Sequence, residues 1–205
     1  MKLLSALEKT AKELETGFAN IPEGRKEILG QLTAYIREKK ETNQPVQLVF
    51  ICTHNSRRSH MAQLWAQAAA GYYGVADVRT YSGGTEATAF NPSAVTAMQE
   101  LGFGITTQDE NDNPKYTVRY TDEVAPLEAW SKRFDDAANP TAAFCAIMTC
   151  SDADENCPFV PGVERRIGIT YEDPKAFDGT AQEKEKYRER ARQIGSEMLF
   201  VFSKV

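Results

Sequence analysis

Val46-Gln47-Leu48-Val49-Phe50-Ile51, followed by Cys52-Thr53-His54-Asn55-Ser56-Arg57-Arg58-Ser59, is the stretch on which the rest of the chain is built. Its first half is apolar, with β-branched and aromatic residues, and reads as a buried strand. Its second half is a polar loop that begins at Cys52 and closes on Arg58-Ser59. Beyond Ser59, the apolar residues Met61, Leu64, Trp65 and Ala68 recur at helical spacing. The order is strand, loop, helix. A helix N-terminus turns unpaired N–H groups and a partial positive charge toward such a loop. A cysteine placed there is favoured as the thiolate, the nucleophilic form. An arginine at the far end can grip two oxygens of a tetrahedral oxyanion. Ser59 is placed to cap the helix or to donate to the sulfur, and Asn55 and Ser56 to brace the loop.

Outward from this stretch the chain alternates. A strand at 46–51 leads to a helix of about 59–73, and Val78 to Ser82 reads as a second strand ending in Gly83-Gly84. Asn91-Pro92-Ser93 opens a helix that carries Ala94, Val95, Met98 and Leu101 and stops at Gly102. The polar region 107–122 reads as a loop or insertion, and 123–137 as a helix. Strands follow at Phe144 to Thr149 and Val163 to Ile169, then a final helix of about 181–202. Four alternations of strand and helix predict an α/β fold, a four-stranded parallel sheet with helices on both faces. Ligands bind such sheets at the C-terminal ends of the strands, where residues 52–58 fall. Residues 1–45 form a separate extension. Leu3, Leu4, Leu7, Ala11 and Leu14 make one helical stripe, and Ile28, Leu29, Leu32 and Ile36 another, with Gly17 to Gly24 between them. This is a helical hairpin, which either packs on its own domain or presents a partner surface. Residues 46–205 are read as the second domain, expected to be catalytic through the Cys52 loop.

The 205 residues carry a net charge of -5 and no long basic run, which disfavours nucleic acid as a partner. No apolar stretch approaches the ~20 residues that span a bilayer, and the charged N-terminus is no signal peptide. The default expectation is a cytoplasmic protein, where cysteines stay reduced. The four cysteines therefore read as catalytic, redox or metal groups before structural disulfides. Only two histidines are present, His54 and His60, which disfavours zinc.

The sequence Cys52-Thr53-His54-Asn55-Ser56-Arg57-Arg58-Ser59 resembles the active-site loop of low-molecular-weight protein tyrosine phosphatases and of the thioredoxin-coupled arsenate reductases that share their fold. Tyr81-Ser82-Gly83-Gly84, Asn91-Pro92-Ser93-Ala94-Val95 and Leu101-Gly102 resemble the family's next strand and helix. The resemblance covers about residues 46–203, leaving out the hairpin and not explaining 110–140. It implies that Cys52 is the nucleophile and that Thr53, His54, Asn55, Ser56, Arg57, Arg58 and Ser59 bind the substrate oxyanion. Asp173-Pro174 matches the pair whose Asp is the general acid, with Glu172 and Asp178 as lesser candidates. Such an acid delivers a proton to the oxygen that leaves. Met148-Thr149-Cys150-Ser151-Asp152-Ala153-Asp154-Glu155-Asn156-Cys157-Pro158 resembles the redox segment of the reductases. There the first Cys attacks the nucleophile's arsenic adduct, the second resolves the disulfide, and thioredoxin reduces the pair. Cα atoms seven residues apart lie roughly 23–25 Å apart when extended and about 10 Å apart as a helix. A disulfide needs about 5.5–6 Å, so the segment must fold back to oxidise. Cys145, inside a strand, reads as a core thiol.

Four positions depart from the relatives. His54 stands where they usually have Gly, and Arg57 where the reductases have Cys. Gln63 stands where several reductases have a Glu that helps bind potassium. Lys175 stands where the phosphatases often have Tyr. The expected activity is arsenate reduction through a cysteine relay to thioredoxin, with no tightly bound cofactor. The alternative is hydrolysis of phosphotyrosine, in a phosphoprotein, or of small phosphate esters, through a phosphocysteine. A third reading is an oxyanion-binding module without turnover.

Overall fold

The computed structural model describes residues 1–156 and 160–205. Two helices, α1 (Ser5–Glu15) and α2 (Glu23–Glu41), precede β1 (Val46–Cys52). There follow α3 (Arg58–Tyr72), β2 (Val78–Gly84) and α4 (Pro92–Glu100), and then three short strands, β3 (Gly104–Thr106), β4 (Tyr116–Arg119) and β5 (Leu127–Ala129). The chain continues with β6 (Phe144–Met148), α5 (Ser151–Asn156), β7 (Val163–Gly168) and α6 (Glu183–Ser203). The main sheet has the order β2-β1-β6-β7, and its pairings are all parallel. The expected four-stranded parallel sheet is therefore present, as are the two N-terminal helices.

β1 is central, with apolar neighbours on both faces, which is why Leu48 to Ile51 are continuously apolar and buried. Asn91 caps α4, its Oδ1 accepting from Ser93 N and Ala94 N at 2.9 and 3.2 Å, with Pro92 at the first helical position. The apolar stripes of α1 and α2 are spent on the chain's own core, both helices packing against α6. Leu7, Ala11, Leu29, Leu32 and Ile36 are fully buried in one cluster with Trp65 of α3 and Met198 of α6. Arg25 of α2 forks onto Glu197 of α6, its closest contact at 2.7 Å, and lies 4.8 Å over the ring of Tyr171. Among the described residues, no helix is long and apolar enough to cross a membrane.

Two expectations fail between 107 and 137. The polar region contains β4, in which Val118 is buried while Thr117 and Arg119 face outward. Residues 123–137 are not a helix: β5 is followed by a bend that joins the end of β2 through a Gly84–Arg133 bridge. Pro126 removes an amide from any helix there and biases Ala125 toward extended backbone. The backbone of 132–134 takes partners from Gly84 instead: Gly84 N donates to Lys132 O and Phe134 N to Gly84 O, each at 2.9 Å. Tertiary pairing overrides a weak local pattern. β3, β4 and β5 form a small antiparallel sheet beside the main one.

Candidate functional site

Cys52 ends β1 and is 3% exposed. The loop leaves it, turns at Asn55 and enters α3 at Arg58, so the helix N-terminus faces the sulfur. Cys52 Sγ lies 3.1 Å from Ser59 Oγ. That hydroxyl already accepts from Asn55 Nδ2 at 2.8 Å, which leaves its proton for the sulfur. Ser59 thus serves the thiol and not the helix cap; the cap position is Arg57, with no side-chain cap bond. The amide of Asn55 is fixed because its Oδ1 accepts from Lys132 N at 2.9 Å.

The left-handed residue in the loop is Asn55, at φ 44°, a conformation Asn tolerates. His54 is not in that region, so a side chain in place of the relatives' Gly carries no left-handed strain. Its ring is partly exposed, with Nε2 3.7 Å from Glu86 Oε2. The outer wall of the loop is tied down residue by residue. Thr85 N and Glu86 N donate to Cys52 O and Thr53 O, Ser131 Oγ and Thr88 Oγ1 donate to His54 O, and Asn91 N donates to Ser56 O. Gly84 has to be glycine: a Cβ there would lie 2.3 Å from Glu86 O and 2.7 Å from both Asn55 N and Thr53 O.

Arg58 and Asp173 are adjacent. Arg58 donates to Tyr171 O at 2.9 Å and to Asp173 Oδ2 at 2.7 Å. Its Nε is buried without a hydrogen-bond partner. An unpaired buried donor costs about 1–3 kcal/mol, and more when it is charged, so this N–H has unused hydrogen-bonding capacity. Asp173 Oδ1 accepts from Lys175 N at 3.0 Å and starts the short 3₁₀ turn Pro174–Phe177. Arg57 turns to α6, donating to Tyr187 and Asp178. Glu172 pairs with Arg190 at the surface.

Cys150 follows β6, the neighbour of β1, and is fully buried. Its sulfur lies 3.5 Å from Thr53 Oγ1, next to Cys52 in the chain, and accepts from Ala153 N at 3.4 Å. Thr149 N and Oγ1 both bond to Ile51 O, holding the two strand ends together. Cys157 lies outside the described residues. Cys145 is buried in the core, where desolvation pushes its thiol up to about 12. Gln63 donates to Thr80 O at 3.1 Å and leaves its buried Oε1 unpartnered. Gln63 thus presents one neutral buried oxygen where several reductases have a carboxylate.

The sequence singles out Cys52, Ser59, Arg58, Asp173 and Cys150, which the structure sets in three contacts, Cys52 with Ser59, Arg58 with Asp173 and Cys150 with Thr53. Sequence reading missed Ser131 and Lys132, hidden in the supposed helix, and Tyr187, read only as one apolar residue on α6. The paired glycines 83 and 84 were the available signal that another backbone comes close to β2.

Three comparisons bear on this geometry. The family model described as low molecular weight phosphotyrosine protein phosphatase matches residues 47–135. An arsenate reductase of Bacillus subtilis (strain 168) is 32% identical over 152 residues, 74% of this chain and 91% of the relative. One from Oceanobacillus iheyensis is 30% identical over 157 residues, 77% of this chain and 94% of the relative. A crystal structure of a low molecular weight phosphotyrosine phosphatase from Vibrio cholerae O395 superposes with a TM-score of 0.52 at 13% identity. It covers 77% of this chain and 94% of that one, and shares the fold.

Proposed function

The chain belongs to the low molecular weight phosphotyrosine protein phosphatase family, among its arsenate reductases, and on that premise we propose that it reduces arsenate to arsenite with thioredoxin as the final reductant. The carrying observation is the Cys150 thiol, bonded to Thr53 beside the Cys52 loop. A hydrolase needs no second buried thiol there.

Arsenate occupies the loop 53–58, held by backbone N–H groups and by Arg58, whose unpartnered Nε gains an acceptor. Arg58 NH2 exchanges Asp173 for the oxyanion, which frees the carboxyl beside the leaving oxygen. The Cys52 thiolate attacks arsenic while Asp173 gives its proton to the departing oxygen, which leaves as water. Ser59 Oγ holds the sulfur in line. The Cys150 thiolate then attacks Cys52 Sγ. The electron pair of the S–As bond stays on arsenic, reducing As(V) to As(III), and arsenite departs. Cys157 attacks Cys150, releasing the Cys52 thiolate and leaving a Cys150–Cys157 disulfide for the thioredoxin dithiol.

A Cys150→Ser variant tests the relay. It is expected to lose thioredoxin-coupled arsenate turnover and to keep slow hydrolysis of aryl phosphates, which needs only Cys52, Arg58 and Asp173. Full arsenate turnover in that variant overturns the relay. Efficient hydrolysis of phosphotyrosine by the wild type, with no arsenate reduction in the presence of thioredoxin, establishes the phosphatase reading, which the same nucleophile, arginine and acid support.

A further inference from the structure

Arg57 stands inside the oxyanion loop yet points away from its centre. Its side chain is 11% exposed, so it is not a solvated surface charge. Nε donates to Tyr187 Oη at 2.6 Å and NH2 to Asp178 Oδ2 at 3.0 Å. Tyr187 Oη in turn donates to Asp178 Oδ1 at 2.7 Å, closing a ring of three side chains from the loop, α6 and the 3₁₀ turn. Tyr187 is fully buried, and desolvation together with Asp178 holds its phenol well above the usual tyrosine range, as the neutral donor this ring requires. Asp173 and Asp178 flank one rigid turn, Pro174–Phe177. A grip on Asp178 therefore fixes where Asp173 stands. Gly179 N, donating to Glu183 Oε2 at 2.8 Å, anchors the same end of the turn to α6.

We propose that Arg57, Tyr187 and Asp178 form a latch that holds the 173–178 segment on the oxyanion loop and so positions the Asp173 carboxyl for proton transfer. The need arises on substrate binding. In this structure Asp173 leans on Arg58 at 2.7 Å, and an anion in the loop competes for that guanidinium. Once Arg58 turns to the anion, Arg57, 4.0 Å from Asp173 Oδ1, remains as a cation beside the carboxyl. Arg57 is thus a positioning residue. The inference rests on Asp173 being the acid.

The test uses the full chain and four variants, Arg57→Gln, Asp178→Asn, Tyr187→Phe and Asp173→Asn. The readouts are kcat on phenyl phosphate, a poor leaving group, kcat on p-nitrophenyl phosphate, a good one, and Kd for inorganic phosphate from tryptophan fluorescence. General acids contribute roughly 10²–10⁴-fold, and partial misplacement by the three latch variants is expected to lower phenyl phosphate turnover about tenfold. Turnover of p-nitrophenyl phosphate should stay within about threefold and phosphate Kd within about twofold. The same split between kcat and phosphate Kd is read on arsenate, so the result does not depend on ester hydrolysis. Equal losses on both esters, or a phosphate Kd that rises in step with the loss, overturn the latch. If Asp173→Asn shows leaving-group dependence and the latch variants do not, the latch alone falls. If Asp173→Asn shows none, the acid assignment falls and the latch with it.

Discussion

The loop at 52–59 and the segment at 130–134 that braces it are equally necessary to the site and entirely different in kind. The loop is local: strand, cysteine, polar turn, arginine and helix follow one another, and each residue's role is set by its neighbours in the chain. The brace is remote. Ser131 Oγ and Lys132 N reach across 77 residues to His54 O and Asn55 Oδ1, and nothing in their own sequence announces it. On the proposed function the loop carries the chemistry and the brace carries the shape. Damage to the first should therefore stop turnover while sparing the fold, and damage to the second should cost stability and loosen the anion.

The sharpest separation is Cys52→Ser. Turnover is expected to fall by a factor on the order of 10³ or more while inorganic phosphate still binds, read as kcat against phosphate Kd. A residual rate within tenfold of wild type breaks the assignment. Gly84→Ala strikes where loop and brace meet, with a Cβ 2.3 Å from Glu86 O. Overpacking against fixed backbone is expected to cost about 3 kcal/mol, measured by urea unfolding, and a wild-type midpoint would show that the loop wall gives. Asn55→Ala removes the bond to Ser59 Oγ and orphans the buried Lys132 N. A loss of about 2 kcal/mol and weaker phosphate binding are expected together; a stability loss with unchanged phosphate Kd would detach brace from site.

The smallest effect has the opposite sign. Lys132 is 5% exposed and stands 4.3 Å from the Trp130 ring, and burial pushes its ammonium down to about 8. A lysine whose folded value lies below its unfolded one binds fewer protons when folded between about pH 8 and 10.5. Stability then rises with pH across that window, and the penalty is fully present below it. Lys132→Met should raise stability at pH 7 by about 1 kcal/mol, and its advantage over wild type should shrink from pH 8 upward. An advantage that does not vary with pH would mean the methionine acts by packing alone.

The parallel sheet was legible because parallel strands are buried on both faces and announce themselves as apolar runs, as in Val46 to Ile51 and Phe144 to Met148. The ends of α4 were legible because Asn91, Pro92 and Gly102 are local stop and start chemistry. β4 and β5, of four and three residues, are shorter than the period test can resolve, and their neighbourhood was read as loop and helix. Arg57 was visible as an unusual residue, and its direction was not, since that depends on Tyr187, 130 residues away.

By itself the sequence supplied the candidate reacting groups of the proposed function: a cysteine at a strand end, an arginine six residues later at a helix start, an Asp-Pro pair and a second thiol at Cys150. The first two follow from residue type and spacing along the chain, and the roles of Asp173 and Cys150 are what the family resemblance implies. Only the tertiary structure decided how those groups are held. It set Asp173 on Arg58, turned Arg57 to Tyr187 and Asp178, and closed the loop with Gly84, Ser131 and Lys132. The reason is physical: covalent order fixes neighbours within a few residues, whereas hydrogen bonds between distant segments exist only after burial has brought them together and removed water as the competing partner.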